Sequence, residues 1–365
     1  MRARMEFSSY ELPLRIPMRT SGGSTEVRRG LLIQVFGESG LVGIGETAPL
    51  DGRELEQAVG VFERAAISHE TEVVEPDHGA RPVRIAQTVE QWLGRSAPPS
   101  ARCGLETALL DLLARRQGKS VTELLGGSTG ASVEVNALVT EQDPRAAGER
   151  AADFFDRGFR TLKLKVGNPE TDLARIRNVL AAADPARSSA ASPRGATPRA
   201  PFTLRLDANR GWEFSTAASL LAELEGMPID YVEEPLRDPA PHVLARLRRI
   251  SVVGIALDES ISTPAEFDRF AGASACDVLV LKLQRLGGVS AAMQLAASAR
   301  GQGIRVVLTD SLETAVGRAA TLHCAAACTT EAVGLAGAFL MSDDGSGHDR
   351  PRVDLAGAGL GVTAS

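Results

Sequence analysis

Five charged residues stand at the ends of short apolar segments, and their types are those of acid–base chemistry at a metal ion. Three are acidic: Asp207 in LRLDAN, Glu233 in YVEEP and Asp258 in ALDES. Two are basic: Lys165 in LKLKV and Lys282 in LVLKL. Three carboxylates can bind a hard divalent cation, and a lysine can accept or donate a proton. From Asp207 to Lys282 the successive steps are 26, 25 and 24 residues.

This even spacing predicts that the five residues share one rim of a parallel barrel. One strand–loop–helix–loop unit takes roughly 25 residues, and a barrel returns to its C-terminal rim once per unit. The 42-residue step from Lys165 to Asp207 breaks the period, but it contains the segment 184–200, DPARSSAASPRGATPRA. That segment has no apolar periodicity, and we predict that it is a disordered surface insertion. Without its 17 residues the step is 25 residues.

From about residue 130, short strand-like segments alternate with helical ones. Such alternation predicts a parallel sheet with right-handed crossovers. An eighth strand, predicted near AVGLAG at 332–337, favours a closed α/β barrel of the (β/α)8 type over an open doubly wound sheet. The seven clear strand segments are SVEVNAL, RTLKLKV, FTLRLDA, IDYVEE, VGIAL, DVLVLKL and IRVVL.

The first third of the chain follows a different pattern. GLLIQVF and LVGIGE are strand-like and are separated by the turn 37–40, which predicts an antiparallel hairpin. GLETALLDLLARRQG has helical apolar spacing and is expected to end at Gly118. We therefore predict an α+β capping domain at 1–128, a barrel domain at 129–337, and a C-terminal segment at 338–365 that packs on the cap and completes it.

The composition narrows the classes of partner. The 365 residues carry a net charge of −6, which offers neither a basic patch for nucleic acid nor a polybasic membrane segment. No apolar run approaches the roughly 20 residues that cross a bilayer, and the N-terminal stretch lacks the apolar core of a signal peptide. Four scattered cysteines without a CxxC pair fit a reducing compartment. We expect a cytoplasmic protein without nucleic-acid or membrane partners, and the sequence leaves open whether it forms a homo-oligomer.

One short pattern, HCAAAC, suggests a metal site of a different kind. It places His323, Cys324 and Cys328 close together. A structural zinc site needs four ligands, and no fourth ligand is near in sequence. We therefore interpret this segment as a helix of small residues that packs in a core.

Lys163 and Lys165 lie two residues apart in one predicted strand, so both side chains point to the same side of the sheet. If that side is the barrel interior, mutual repulsion and burial both favour the neutral amine. A lysine with a lowered pKa is a competent base near neutral pH. The alternative is that both lysines lie on a solvated edge strand.

The acidic residues also have neighbours that could take their place. Glu234 and Glu259 directly follow Glu233 and Asp258, and strand alternation is expected to turn only one residue of each pair toward the pocket. An all-oxygen ligand set suits Mg²⁺, with Mn²⁺ as a substitute, rather than Zn²⁺. A cation bound to a substrate carboxylate would stabilise the charge that develops when a proton leaves the adjacent carbon.

The motifs LKLKV, DANRGW, EEP, DES and LKLQRLGG resemble those of the muconate-lactonizing subgroup of the enolase superfamily, and the resemblance covers almost the whole chain. That superfamily uses a Lys or His base with Mg²⁺ to stabilise an enediolate. The resemblance implies that Asp207, Glu233 and Asp258 bind Mg²⁺. It also implies that Lys165 is the general base, that Lys163 tunes the pKa of Lys165, and that Lys282 lies on the opposite face of the substrate.

Within that subgroup, the segments VNALV, TDSLETAVG and GLAGAFLMSDD most resemble o-succinylbenzoate synthases. This implies a carbon–oxygen lyase of menaquinone biosynthesis, which removes a proton next to the carboxylate of a small anionic substrate and then eliminates water. Ser311 and nearby backbone N–H groups would bind the succinyl carboxylate, and Asn209 and Thr20 are further predicted substrate contacts. Thr20 belongs to a Gly- and Ser-rich loop, 20–24, that is expected to act as a lid. Asp310 departs from this resemblance, because a small hydroxyl residue is expected there.

Other functions remain open. The same site would serve an N-succinylamino acid racemase, a dipeptide epimerase or a cycloisomerase, because Lys165 and Lys282 on opposite faces are what a two-base racemase needs. A more distant alternative is an aldolase that forms a Schiff base with a lysine and needs no metal. A non-catalytic barrel is a third class, and it would not require all of the charged residues together.

Overall fold

The computed structural model describes residues 2–20, 23–37, 40–68, 71–72, 82–183, 202–342 and 346–362. The predicted insertion at 184–200 lies outside the described residues. Within them, no helix is both long and apolar enough to cross a membrane.

The N-terminal part is an antiparallel sheet covered by helices. The hairpin predicted around the turn 37–40 is present, since GLLIQVF and LVGIGE lie in paired antiparallel strands. The strands are β1 (Arg2–Thr20), β2 (Gly23–Gly37), β3 (Val42–Thr47) and β4 (Thr71–Glu72), in the order β3-β2-β1-β4. The helices are α1 (Gly52–Ser68), α2 (Pro82–Leu93), α3 (Pro99–Gln117) and α4 (Val121–Leu124).

The rest of the chain alternates strands and helices as predicted. Its strands are β5 (Ser132–Val139), β6 (Thr161–Lys165), β7 (Thr203–Asp207), β8 (Ile229–Glu233), β9 (Gly254–Leu257), β10 (Val278–Leu281), β11 (Arg305–Leu308), β12 (Val333–Gly334) and β13 (Arg352–Asp354). Its helices are α5 (Pro144–Asp156), α6 (Pro169–Ala182), α7 (Phe214–Ala222), α8 (Pro241–Ile250), α9 (Pro264–Gly272), α10 (Leu283–Leu286), α11 (Val289–Gly301), α12 (Ala315–Cys328) and α13 (Ala336–Leu340).

The strands from β5 to β12 form a closed parallel barrel. Sequential strands pair from β5 to β11, and β12 pairs with β5 through Val333 and Gly334. A parallel bridge between Thr309, just after β11, and Gly334 closes the ring. The barrel interior holds Tyr231 and small or β-branched side chains such as Val278. The prediction of an α/β barrel of the (β/α)8 type with an N-terminal cap is confirmed, and its rim is where the residues with predicted chemistry stand.

Helix ends follow the local sequence. α5 begins at the N-cap Asp143, whose side chain accepts from the backbone N–H of Ala146. α6 begins directly after its N-cap Asn168. The reason is that Pro169 follows it, and proline is preset for the first helical position. α3 ends at Gly118 as predicted, with φ of 64°.

The C-terminal segment contacts both layers. Strand β13 pairs with β5 of the barrel in antiparallel fashion. Further on, the backbone N–H of Val121 in α4 donates to the carbonyl of Gly359. The backbone N–H of Leu360 donates to the carboxylate of Asp111 in α3. These bonds join the segment to α3 and α4. The segment predicted to pack on the cap therefore also extends the barrel sheet.

HCAAAC lies in α12, and its residues are buried among neighbouring helices. His323 accepts a hydrogen bond from the backbone of Thr122 through Nδ1, and burial lowers the pKa of His323 to about 4. All four cysteines are free and buried. The burial of His323, Cys324 and Cys328 within α12 agrees with the interpretation of a packed helix.

A ring of ion pairs closes the N-terminal end of the barrel. Arg205 is 2% exposed and pairs with Asp230 at 3.2 Å and with Glu331 at 2.8 Å. Arg305, 44% exposed, binds the same two carboxylates from the outside. The guanidinium of Arg205 also lies 5.2 Å from the ring centre of Tyr231.

We expect Arg205→Met to lower the free energy of unfolding by about 3–5 kcal/mol, because it breaks a buried ion pair and leaves Asp230 and Glu331 with only the half-exposed Arg305 as a partner. Arg305→Met is the matched control and is expected to cost less than about 1 kcal/mol, since Arg305 is half exposed. Urea unfolding of both variants measures the difference. Equal decreases in the free energy of unfolding would contradict the view that the buried guanidinium of Arg205 contributes most of the stability of these ion pairs.

Candidate active site

A cavity of about 400 Å³ lies at the C-terminal ends of the barrel strands and is bounded by both the barrel and the cap. This volume is typical of a pocket for a small molecule. Lys163, Lys165, Asp207 and Lys282 line it from the barrel side. The rim is also where active sites of such barrels stand.

Two lysines of β6 face two acids at the ends of β7 and β8. Lys163 Nζ lies 2.7 Å from Glu233 Oε2 and 2.8 Å from Asp207 Oδ2. Lys165 Nζ lies 2.7 Å from Asp207 Oδ2 and 2.8 Å from Asn209 Oδ1. Both lysine side chains therefore point to the barrel interior, as the two-residue spacing predicts.

The remaining pair lies on the other side of the cavity. Lys282 Nζ donates to Asp258 Oδ2 at 2.6 Å. Arg285, one turn further along the chain, donates to the carbonyl and to the carboxylate of Asp258. Arg285 also lines the cavity, and its Nε is buried without a hydrogen-bond partner. Sequence reasoning missed Arg285, although its place three residues after Lys282 at the start of a short helix could have indicated it.

Electrostatics in this cluster differ from the sequence prediction for Lys163. Its burial opposes the charged form, but Asp207 and Glu233 outweigh burial and hold the pKa of Lys163 well above its ordinary value. The expectation that repulsion from Lys165 would favour the neutral form of Lys163 is therefore wrong, because the nearby carboxylates dominate. Burial, followed by repulsion from Asp207, raises the pKa of Glu233 to about 8. For Asp258, burial is outweighed by Arg285 and Lys282, and its pKa falls below its ordinary value.

The donors for a metal ion are of the right type. Asp207 and Glu233 are partners on adjacent strands, and a single positive centre, the ammonium of Lys163, already contacts both carboxylates. Asp258 is bound instead to Lys282 and Arg285. Among the described residues, the observed side-chain arrangement holds no group of three acids that encloses an ion. The set fits Mg²⁺ in donor chemistry and backbone placement, and a divalent cation would compete with the ammonium groups for these oxygens.

The neighbouring acids play different parts. Glu234 turns away from Lys163, and its Oε1 accepts from the backbone N–H groups of Asp258 and Ser260 at 2.9 and 2.7 Å. Glu234 therefore holds the DES loop in place. Glu259 instead lines the cavity and accepts from Asn209 Nδ2 at 2.9 Å. Of the second pair, Glu259 lines the cavity, whereas Asp258 contacts Lys282 and Arg285. Glu259 lies on the loop beyond β9, where strand alternation has ended.

The backbone around the site adopts unusual conformations. Asn209, Glu234 and Leu312 have φ of 42°, 43° and 64°, a region that non-glycine residues rarely adopt and that is concentrated at functional sites. The loops after β6 and β7 approach closely at Gly167 and Gly211. A Cβ on Gly211 would lie 2.6 Å from the Cα of Gly167, so only glycine permits the contact that sets Lys165 beside the DANRG loop.

The predicted substrate contacts fare differently. Ser311 and Asn209 both line the cavity. The backbone N–H of Ser311, however, donates to the carboxylate of Glu313, so it is already engaged. Thr20 pairs with Gly23 as the last residue pair of the β1–β2 hairpin, and its side chain, like residues 21 and 22 of the predicted lid, lies outside the described residues.

Two features of the cavity were not anticipated. The first is that the cap contributes apolar side chains, Ile16 and Leu50, rather than the Gly- and Ser-rich loop alone. The alternating pattern of β1 gives no sign that a register shift after Pro13 would turn Ile16 toward the barrel. The second is the distribution of lysine. The sequence has four lysines among 40 basic residues, and three of the four line this cavity.

Comparison with known families covers both parts of the chain. A family profile described as "Mandelate racemase / muconate lactonizing enzyme, N-terminal domain" matches residues 4–126. A second profile, "Enolase C-terminal domain-like", matches residues 146–356. The second match alone spans more than half of the 365 residues.

Curated relatives include enzymes with several activities. The chain is 31% identical over 342 residues to an N-succinylamino acid racemase from Thermus thermophilus, covering 88% of this chain and 81% of the relative. It is 27% identical over 334 residues to an L-Ala-D/L-Glu epimerase from Bacillus subtilis, with coverage of 88% and 84%. It is 27% identical over 346 residues to a chloromuconate cycloisomerase from Cupriavidus pinatubonensis, with coverage of 91% and 87%.

The fold agrees with these matches. A dipeptide epimerase from Enterococcus faecalis, solved with Mg and the dipeptide L-Leu-L-Tyr, superimposes with a TM-score of 0.84 at 24% identity over the full length of both chains. The resemblance in the motifs is thereby confirmed at the level of the family and subgroup. The chain belongs to the enolase superfamily, as an enzyme of its mandelate racemase and muconate-lactonizing branch.

Proposed function

We propose that this protein catalyses Mg²⁺-dependent transfer of the proton on the carbon next to a carboxylate, with Lys165 and Lys282 acting from opposite faces of the substrate. The substrate is a small carboxylate, and the favoured outcome is inversion of that carbon, as in a racemase or epimerase. The N-succinylamino acid racemase and the L-Ala-D/L-Glu epimerase among the relatives are in accord with this outcome.

The observation that carries the proposal is the placement of the two lysines. Lys165 ends β6 and Lys282 directly follows β10. In the ring of eight strands these are four strands apart, so they lie across the barrel from each other, and both line the one cavity. A substrate held between them could lose its α-proton to one amine, and the planar anion that results could gain a proton from the other amine on the opposite face. The atoms of the substrate are conserved, and only the configuration changes.

The acids would hold the metal and position the lysines. Asp207, Glu233 and Asp258 are proposed to bind Mg²⁺, and all three are buried, which keeps competing water away. When bound, Mg²⁺ supplies positive charge beside the substrate carboxylate and so lowers the energy of the anion left after proton removal. Asp207 also orients Lys165 through its 2.7 Å contact.

Lysine substitution in D₂O tests the two-base proposal. We expect Lys282→Ala to lower racemisation of an N-acylamino acid by about 10²-fold or more, the usual contribution of a positioned acid–base group. One enantiomer should still exchange its α-hydrogen for deuterium, because Lys165 continues to serve that face. Proton NMR follows exchange, and polarimetry follows inversion.

Lys119→Ala is the matched control, because Lys119 is exposed and far along the chain from the site strands. Racemisation by Lys282→Ala at the wild-type rate would contradict the two-base proposal.

Dehydration to o-succinylbenzoate is the second candidate. Its support is that the three segments with this resemblance adjoin in the structure, since Gly334 pairs with Asn136 and bridges to Thr309. In that reaction Lys165 would remove the proton and deliver it to the departing hydroxyl, which leaves as water, while Lys282 stays protonated as a cation beside the ring. Assaying the cyclohexadiene precursor with Mg²⁺ for a new aromatic absorbance distinguishes it from racemisation, which produces none.

A further inference from the structure

The cavity has two sides of different character. The side formed by the ends of β6 to β10 carries the four basic residues that line it: Lys163, Lys165, Lys282 and Arg285. We call this the charged side. The side formed by β5, by the residues after β11 and β12, and by the cap is called the apolar side. If the substrate carboxylate binds at the charged side, the remainder of the substrate must extend toward the apolar side.

Leucine side chains make up much of the apolar side. Leu138, Leu312 and Leu340 line the cavity and belong to a small buried cluster of their own. From the cap, Ile16 and Leu50 also line the cavity, and they are 40% and 53% exposed. Large apolar residues exposed beside a pocket indicate a surface that a ligand covers.

Backbone donors on this side are already bound to the chain's own acids. The N–H groups of Ala336 and Gly337 donate to Asp310 at 2.7 and 2.8 Å. The N–H of Ser311 donates to Glu313. Backbone N–H groups around Ser311 are the ones predicted from the resemblance to bind the succinyl carboxylate, and these three are already engaged. Asp310 stands where the resemblance predicts a small hydroxyl residue. Its carboxylate binds the first backbone N–H groups of α13 and so makes them unavailable to a substrate.

Two buried arginines near this side, Arg28 and Arg318, do not compensate. Arg28 donates through Nε to the carbonyl of Leu312 at 2.9 Å and through its other nitrogens to Pro49 and Ala48. Neither Arg28 nor Arg318 is among the residues that line the cavity. A carboxylate placed on the apolar side would therefore lack a direct cationic partner among the described lining residues.

Charge on this side also opposes a second anion. Glu46, Asp310 and Glu313 are all buried, at 1%, 3% and 1% exposure; Asp310 lines the cavity on this side, and Glu46 and Glu313 lie behind the lining residues. Burial, and then repulsion from Asp310 and Glu46, raise the pKa of Glu313 to about 8. Burial and nearby negative charge disfavour the ionised form of Glu313. The same two effects would disfavour a substrate carboxylate bound at this place.

From the leucine wall, the engaged backbone donors and the buried acids, we infer that the enzyme selects carboxylate substrates whose far end is uncharged and apolar, and that it discriminates against those ending in a second carboxylate. This inference rests on the proposed racemase or epimerase function, because it names the substrate class of the same site. It speaks against the second candidate, dehydration, whose substrate carries a succinyl carboxylate. It also gives the apolar cap residues a role, which is to cover the far end of the substrate.

Two N-acyl derivatives of alanine of nearly equal size test the inference. N-succinyl-L-alanine ends in a carboxylate, and N-(4-methylpentanoyl)-L-alanine ends in an isopropyl group of similar shape. Alanine is chosen because its methyl side chain leaves the acyl arm as the one long substituent. With Mg²⁺ in D₂O, we expect kcat/KM for α-hydrogen exchange to be at least about ten-fold higher for the apolar arm, equivalent to about 1.4 kcal/mol. Equal or faster exchange of the succinyl compound would overturn the inference.

A binding measurement separates this outcome from failure of the proposed function. Calorimetry with the Mg²⁺-loaded Lys165→Ala variant compares the two compounds without turnover, and tighter binding of the apolar arm is expected. If neither compound exchanges with the wild-type enzyme, the proposed function fails for these substrates, and calorimetry still decides the inference. Tighter binding of the succinyl compound would overturn it.

Two substitutions address the cause of the discrimination. Asp310→Asn removes the charge of the buried acid that lines the cavity, and we expect the ratio of the two kcat/KM values to fall by about three-fold or more. Glu313→Gln, compared with the wild type at a pH above the raised pKa of Glu313, where that acid is ionised, provides a second variant and keeps an oxygen that can accept from Ser311 N–H. Asp268→Asn, an exposed change on α9, is the control and should leave the ratio unchanged. An unchanged ratio in both charge-removing variants would refute the electrostatic cause.

Discussion

Replacing Lys165 with alanine is expected to reduce α-proton exchange by about 10³-fold or more while the protein stays folded. Removing a positioned general base alone typically costs 10²- to 10⁴-fold. Lys165 is the residue at the end of β6 that contacts both Asp207 and Asn209 and lines the cavity. Its ammonium packs against no core cluster, so its loss should affect chemistry more than packing.

Deuterium exchange in D₂O with Mg²⁺ measures this effect, and circular dichroism with thermal unfolding verifies the fold. Lys119→Ala again serves as the control, since it removes the one lysine that lies outside the site. Retention of a tenth or more of wild-type exchange by Lys165→Ala would defeat the assignment of Lys165 as the base. Loss of the unfolding transition would instead show that Lys165 is needed for folding.

Chelation of divalent cations is expected to abolish exchange, and Mg²⁺ is expected to restore it. Glu233→Gln should weaken Mg²⁺ binding by about ten-fold or more, because it removes one negative charge from a buried ligand set. Calorimetric titration of the chelator-treated protein measures binding directly. Thermal unfolding gives a second readout, since Mg²⁺ at 100 times its Kd should stabilise the folded protein by about 2.7 kcal/mol.

Glu225→Gln is the matched control for Glu233→Gln, because Glu225 is exposed after α7. Exchange that is insensitive to chelation, together with trapping of Lys165 or Lys282 by borohydride, would contradict a metal-assisted mechanism. That result would favour the Schiff-base aldolase.

The sequence predicts the barrel and the grouping of charged residues because both follow from a strand–helix unit that repeats at nearly constant length. The steps from Asp207 to Lys282 match one structural unit each, and parallel strands then bring them to a common rim. Alternation within β6 likewise predicts that Lys163 and Lys165 point inward. These features follow from local geometry repeated along the chain.

Properties that depend on distant contacts could not be predicted in the same way. The pKa of Lys163 is raised because Asp207 and Glu233 lie within 3 Å of it, which outweighs the effect of its neighbour in sequence. The engagement of Ser311 by Glu313, and of α13 by Asp310, depends on side-chain directions in a loop with a positive φ at Leu312.

The part of the cap that faces the cavity could not be predicted from the sequence either. β1 and β2 form an antiparallel hairpin, and the register shift between Pro13 and Met18 lies where Ile16 reaches the cavity. Nothing in the alternation of apolar residues encodes the position of that irregularity. The surface of the cap that faces the cavity therefore depends on how the cap packs on the barrel. It could not be predicted from the sequence of the cap alone.

The scarcity of lysine has a practical consequence for chemical labelling. An amine-selective reagent meets only Lys119 and the amino terminus outside the cavity, because every other lysine of the chain lines it. Peptide mass spectrometry can thus measure how far a bound ligand protects the three cavity lysines from labelling. Labelling of the exposed Lys119 serves as the internal standard. Arginine, which stays charged at all ordinary pH values, supplies the remaining cations and is silent to such reagents.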